Sequence, residues 1–241
     1  MAPALLPAAV PLPALPPSVP RRRRPVAHAL GRAILRAMGW SWVGGFPDVP
    51  RMVLVGAPHT SNWDGVVGLA AAAACRIDVR VMAKAELFRF PLGGLMRWLG
   101  VLPVRRDAPG GLVQQAVDQL SRPDPFMLGI TPEGTRDHVE RWKTGFHRIA
   151  VAAGVPIVVV GIDWGRRQIG VHRTVVPSGD LAADLDAIAE GLDGVTAKHP
   201  ARTSPVRLEA PAALGPTRRG EGTRTPPPPS TVPRERRGPA R

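Results

Sequence analysis

His59 and Asp64 are separated by four residues in the run Ala57-Pro58-His59-Thr60-Ser61-Asn62-Trp63-Asp64-Gly65, directly after an apolar stretch of strand length. A neutral imidazole can take a proton from an alcohol at neutral pH. A carboxylate on its other ring nitrogen fixes the tautomer and stabilises the imidazolium that forms. Further along, Thr131-Pro132-Glu133-Gly134-Thr135-Arg136 combines a flexible glycine, backbone N–H groups, a hydroxyl and a guanidinium. That set suits a phosphate, which accepts paired hydrogen bonds from arginine. Together the two segments describe base-assisted attack by a hydroxyl on a phosphate-bearing acceptor. A plainer role competes for the first segment, because Ser61, Asn62 or Asp64 could simply cap a helix starting near Gly65.

These residues need elements that bring them to one place. From Arg51 onward, apolar runs of strand length alternate with helical patterns, which predicts an α/β fold with a largely parallel central sheet flanked by helices. Met52 to Gly56, Val79 to Ala83, Val101 to Val104, Phe126 to Ile130 and Ile157 to Ile162 read as strands. Their unbroken Val, Ile and Leu content predicts cover on both faces. Gly65 to Cys75, Glu86 to Leu99, Gly111 to Leu120 and Thr144 to Ala153 read as the helices between them. Residues 168 to 176 read as an edge strand and Asp180 to Leu192 as a last helix. Ligands of such sheets collect beyond the carboxyl ends of the strands. His59, the Arg105-Arg106 pair and Glu133 to Arg136 each follow a predicted strand, so one rim could hold them all.

Four blocks in this order resemble the glycerol-phosphate and lysophospholipid acyltransferase family. They are His59 to Asp64; Gly100-Val101-Leu102-Pro103-Val104-Arg105-Arg106; Pro132-Glu133-Gly134-Thr135-Arg136; and Gly154-Val155-Pro156-Ile157-Val158-Val159-Val160. The resemblance covers roughly residues 50 to 165. It implies His59 as general base and Asp64 as the carboxylate that accepts its ring N–H. It places Glu133, Gly134, Thr135 and Arg136 in the acceptor site, with Arg105 or Arg106 opposite. Glu133 is expected to orient Arg136 or an acceptor hydroxyl. Lys84 and Lys143 also fit the family pattern and would add positive potential for donor or acceptor phosphates. Where the family usually has a second proline in the fourth block, this chain has Val159, a change expected to affect acceptor or acyl shape. The co-substrate would be acyl-CoA or acyl carrier protein, and the acceptor a lysophospholipid such as 1-acylglycerol 3-phosphate. No metal and no other cofactor are expected.

Composition narrows the setting. The chain has 241 residues and a formal charge of +13. Residues 1 to 25 hold four arginines and no acid, and residues 201 to 241 hold nine arginines and three glutamates, which leaves +3 on the part between. Both ends are rich in Pro, Ala and Arg without period, which predicts a disordered leader over 1 to 25 and a disordered tail over 201 to 241. The folded domain is then 26 to 200. Basic tails of this kind suit solvation or an anionic membrane surface rather than nucleic acid. One cysteine, Cys75, excludes an internal disulfide and fits a reducing cytoplasm, where it reads as a packed thiol. No apolar run is long enough to span a bilayer. Residues 26 to 46, with Leu30, Ala33, Ile34 and Ala37 at helical spacing and Trp40 and Trp42 at the end, read equally as an interfacial helix or as one packed on the domain. The expected location is peripheral, on the cytoplasmic face of the cell membrane. Rival readings are an acyltransferase for another acceptor (a different lysophospholipid, a lyso-aminolipid or a glycolipid) and a non-enzymatic basic protein that binds lipid or nucleic acid through its tails.

Overall fold

In the computed structural model, the described residues are 12–84, 88, 93, 94, 97, 100–104 and 111–207. They fall within one compact unit, residues 1–209; a second unit, 210–241, lies outside them. Seven strands make one sheet: β1 (Ser41–Val43), β2 (Arg51–Ala57), β3 (Val79–Lys84), β4 (Val101–Val104), β5 (Phe126–Ile130), β6 (Ile157–Asp163) and β7 (Gln168–Val175). Their order is β1-β7-β6-β2-β5-β3-β4, and every pairing is parallel except β6 with β7. The exception follows from the link, since Trp164 to Arg167 is short enough only for a hairpin.

The unbroken apolar strands are buried on both faces, as parallel strands must be when helices cover each side. All seven residues of β6 are buried, and their side chains alternate between two core layers. Val158, Val160 and Ile162 join Met52 and the helices α1 (Pro25–Met38) and α2 (Asn62–Ala74) in one layer. Ile157 and Val159 join Val53, Val55 and the helices α3 (Gly111–Leu120), α4 (Gly145–Ala153) and α5 (Leu181–Gly191) in the other. Val159 is fully buried there, so the departure from the family's proline lies within that core layer.

Helices α1 and α2 pack closely because small residues meet. A Cβ placed on Gly31 would lie 2.5 Å from the Ala70 carbonyl oxygen, so only glycine permits this approach. Trp40 and Trp42 are buried in the core rather than set at an interface, and Trp42 belongs to β1. The strand at 168–175 is not an edge, because β1 pairs with its outer side. The predicted leader also ends earlier than residue 25. Val19 is buried in the core, Arg21 bridges Ile77, and α1 starts at Pro25. At the other end, Ser204 is buried and accepts the Val139 N–H at 3.0 Å, so the fold continues past residue 200. The helix predicted from Glu86 to Leu99 lies mostly outside the described residues.

Candidate active site

β2 is the middle strand, with β6 on one side and β5 on the other, both parallel to it. Residues just beyond its carboxyl end therefore stand at the centre of the rim. His59 is two residues past Ala57. The register Val55↔Ile130 sets the end of β5 beside it, and Glu133 reaches across to accept the His59 backbone N–H at 3.0 Å. Glu133 is 3% exposed, and its other oxygen is buried with no hydrogen-bond partner among the described residues. Burial raises its pKa, helped by the charge of Asp64, against the pull of its two backbone hydrogen bonds. Glu133 thus holds the backbone that carries the imidazole; among the described residues it makes no hydrogen bond or ion pair with Arg136, one of the two partners expected for it, the other being an acceptor hydroxyl.

Asp64 is more heavily engaged than a simple partner of histidine. One oxygen accepts both the Thr60 and Ser61 N–H groups at 2.7 Å, and the other accepts the Trp164 indole N–H at 2.6 Å. Ser61 and Asp64 form a reciprocal capping box at the start of α2, so the capping role holds as well. His59 Nδ1 lies 3.7 Å from Asp64 Oδ2, within electrostatic reach but longer than a hydrogen bond. The imidazole is 20% exposed and the carboxylate 0%, so a substrate can reach the first and not the second. Burial lowers the His59 pKa; Asp64 opposes this and Arg136 adds to it. The ring is therefore neutral near pH 7, the state a general base needs.

Arg136 comes to the same rim. Its Nη1 contacts Asn62 Oδ1 in the first turn of α2, which holds the guanidinium over a helix N-terminus that itself favours anions. Gly134 has φ +65°, and a Cβ there would lie 2.6 Å from Lys143 Nζ, so the lysine stem folds over the bare glycine. The Lys143 N–H donates to the Pro132 carbonyl at 2.9 Å, which fixes that approach. The Thr135 hydroxyl closes the turn by accepting the Asp137 N–H at 3.3 Å. Two exposed cations, Arg136 and Lys143, thus share a glycine turn next to His59.

Residues 45–163 match the acyltransferase family model, which takes in β2 through β6 and every residue of this rim named above except Trp164. They belong to the acyltransferase family. The solved 1-acyl-sn-glycerophosphate (LPA) acyltransferase PlsC from Thermotoga maritima is similar in structure, with TM-score 0.50 and 18% identity over 72% of this chain and 80% of that one. That likeness establishes the shared fold. No curated protein sequence matches. By class, the chain is an O-acyltransferase.

Of the remaining candidate residues of the acyltransferase, Lys84 is the one among the described residues. Lys84 ends β3, across β5 from β2. Arg105 and Arg106 lie outside the described residues. Three contributors were not visible in the sequence. Trp164, just past β6, donates to Asp64 and packs edge-on against Trp40 at 5.0 Å between ring centroids. Lys198 sets its ammonium 3.9 Å from the Trp164 ring centroid, and the His199 N–H donates to the Thr60 hydroxyl at 3.2 Å. Position beyond a strand end was the one available signal for Trp164; Lys198 and His199 carried none. Away from the rim, His138 bonds the Thr203 carbonyl at 2.8 Å, and His147 is buried 2.7 Å from Asp184. Cys75 is buried, which pushes its thiol up to about 12, so it is inert as a nucleophile near pH 7. Among the described residues no cluster of three or more His, Cys, Asp or Glu is gathered for a metal, and no helix is long and apolar enough to cross a membrane.

Proposed function

We propose that this acyltransferase moves a fatty acyl chain from an acyl-CoA or acyl carrier protein thioester to the free hydroxyl of a lysophospholipid, with 1-acylglycerol 3-phosphate as the first acceptor to test. The observation that carries this reading is a neutral, reachable imidazole at 3.7 Å from a buried carboxylate, on the same rim as Arg136 and Lys143. The Thermotoga maritima protein that shares the fold is an acyltransferase for an acceptor of this class.

In the proposed reaction His59 takes the hydroxyl proton as that oxygen attacks the thioester carbonyl. The imidazolium is stabilised by the Asp64 charge, which is undiluted by solvent because the carboxylate is buried. The tetrahedral intermediate collapses, the new ester forms and the C–S bond breaks. The departing thiolate takes the proton back from His59. Arg136 and Lys143 hold the acceptor phosphate, which places the hydroxyl before the ring. Both the acceptor and the product are lipids, so the reaction belongs at a membrane surface, and we place the enzyme on its cytoplasmic face.

The test is incubation of purified protein with a panel of lysolipids and both thioester donors, read by mass spectrometry. Acylation of 1-acylglycerol 3-phosphate whose kcat/KM falls sharply but measurably in Arg136→Ala supports the reading. Full activity in Arg136→Ala points instead to an acceptor without a phosphate at that position.

A further inference from the structure

A second cationic site lies at the opposite end of the sheet. Arg21, Arg22, Arg23, Arg24 and Arg76 wall a cavity of about 340 Å³ together with Pro25, and none of the described residues that line it is acidic. Backbone pairing brings these charges together. The Arg22 N–H donates to the Arg76 carbonyl at 2.8 Å, the Asp78 N–H donates to the Pro20 carbonyl at 3.0 Å, and Arg21 bridges Ile77 between them. Residues 76–78 lead into the amino end of β3, whereas His59 and Arg136 stand at the carboxyl ends of the strands.

The arrangement gathers like charges, a cost that a bound anion would offset. Arg76 has φ +58°, left-handed backbone that a non-glycine residue rarely adopts. The Arg22 pKa is lowered by burial and by its neighbours Arg24 and Arg80, with Asp78 opposing. Asp78 pairs with Arg22 at 3.2 Å and with Arg80 at 2.8 Å. α1 begins at the cavity with no side-chain cap and no acid in its first turn, so its partial positive charge adds to the arginines.

The surroundings indicate what kind of anion fits. A second opening of about 240 Å³ shares Arg21 and Arg76 and adds an apolar wall from Leu12, Leu15, Ala74 and Cys75. Next to Pro25, α1 leaves Val26 80% exposed and, one turn on, Leu30 56% exposed. On α2, packed beside it, Trp63, Val66 and Leu69 follow at helical spacing and are also exposed. Cations at one end of an apolar helical layer match the interface of a bilayer that carries anionic lipid.

We propose that the arginine cavity binds the phosphate of an anionic phospholipid headgroup and thereby docks the α1–α2 layer on the membrane, separately from the acceptor site. The proposal rests on the membrane setting inferred above, and it does not depend on which acceptor is acylated.

Flotation of the full chain with phosphatidylcholine vesicles, with and without phosphatidylglycerol, tests it. Arg23→Gln/Arg76→Gln is compared with Arg122→Gln/Arg148→Gln, two exposed arginines elsewhere; Arg23→Gln alone serves as a second, milder variant should the cavity pair fail to fold. The wild-type chain should bind the anionic vesicles and not the neutral ones. The cavity pair should bind about fivefold more weakly for each arginine removed, while the distant pair binds as wild type. Equal loss in both pairs, or loss in neither, overturns the site. Inorganic pyrophosphate provides a separate arm. If it binds the wild-type chain but not the cavity pair, and no vesicle is bound, the cavity serves a soluble phosphate compound and the docking proposal fails. Acyl transfer to detergent-dispersed lysolipid should be unchanged in the cavity pair, so absence of activity in every variant counts against the proposed reaction and leaves the docking site standing.

Discussion

Trp164 donates its indole N–H to Asp64 Oδ1 at 2.6 Å, across 100 residues of chain. With Thr60 and Ser61 on the other oxygen, this bond fixes the carboxylate plane that faces His59. Trp164→Phe keeps most of the ring volume and deletes the donor. It should lower stability by about 1.5–3 kcal/mol, the worth of a hydrogen bond to a charged group, and also lower kcat. Thermal unfolding and steady-state kinetics check both; unchanged kcat would show that the indole only fills space.

His59→Ala should leave the fold intact and reduce kcat by about 10² to 10⁴, the usual contribution of a general base. Asp64→Asn should behave differently. It places an amide NH₂ where backbone and indole N–H groups need acceptors, so both the melting temperature and kcat should drop. Circular dichroism melts beside initial rates separate the two variants. Full activity in folded His59→Ala removes the imidazole from the chemistry.

The pH profile follows from the site's electrostatics. Burial, then Arg136, depress the His59 pKa against Asp64, so protonation that silences the base sets in below the ordinary value of about 6.5. The acidic limb of kcat/KM should therefore lie below that pH. Removing the positive charge in Arg136→Ala raises the His59 pKa and should move the limb upward. The same depression means that folding loses stability as the pH falls through that window, because the unfolded chain takes up the proton first. A limb that moves downward in Arg136→Ala would contradict the placement of the guanidinium beside the ring.

The buried His147–Asp184 pair ties α4 to α5. Asp184 also accepts the Ser178 N–H and hydroxyl. Burial alone would raise the Asp184 pKa, but His147 and Ser178 outweigh it and the net shift is downward. Its stabilisation is thus present above the ordinary carboxylate pKa of about 3.9 and is lost as pH falls through the lowered value. His147→Ala removes one of the donors to this buried carboxylate and should cost about 1–3 kcal/mol in denaturant melts at neutral pH, with kcat unchanged in the protein that remains folded.

The elements themselves were readable because their signals are local. Unbroken runs such as Ile157-Val158-Val159-Val160 mark doubly covered strands, and the alternation with helical patterns implies parallel pairing. β1 is illegible in sequence because three residues carry too little pattern, and its Trp42 looks the same whether buried or set at a membrane. Likewise Val19 shows nothing in a Pro- and Arg-rich run until Ile77 and the core close over it.

From residue types and spacing alone came the α/β sheet, the pairing of His59 with Asp64 and the recruitment of Glu133 to Arg136 to the same rim. Only the folded chain assigned the work among them. It set Glu133 under the His59 backbone, divided Asp64 between a helix cap and an indole, and brought Trp164, Lys198 and Arg76 to partners far away in sequence. The division follows from where each kind of information resides. Periodicity and turn chemistry are written in neighbouring residues, whereas a hydrogen bond across 100 residues depends on strand order and register, which no short stretch of chain encodes.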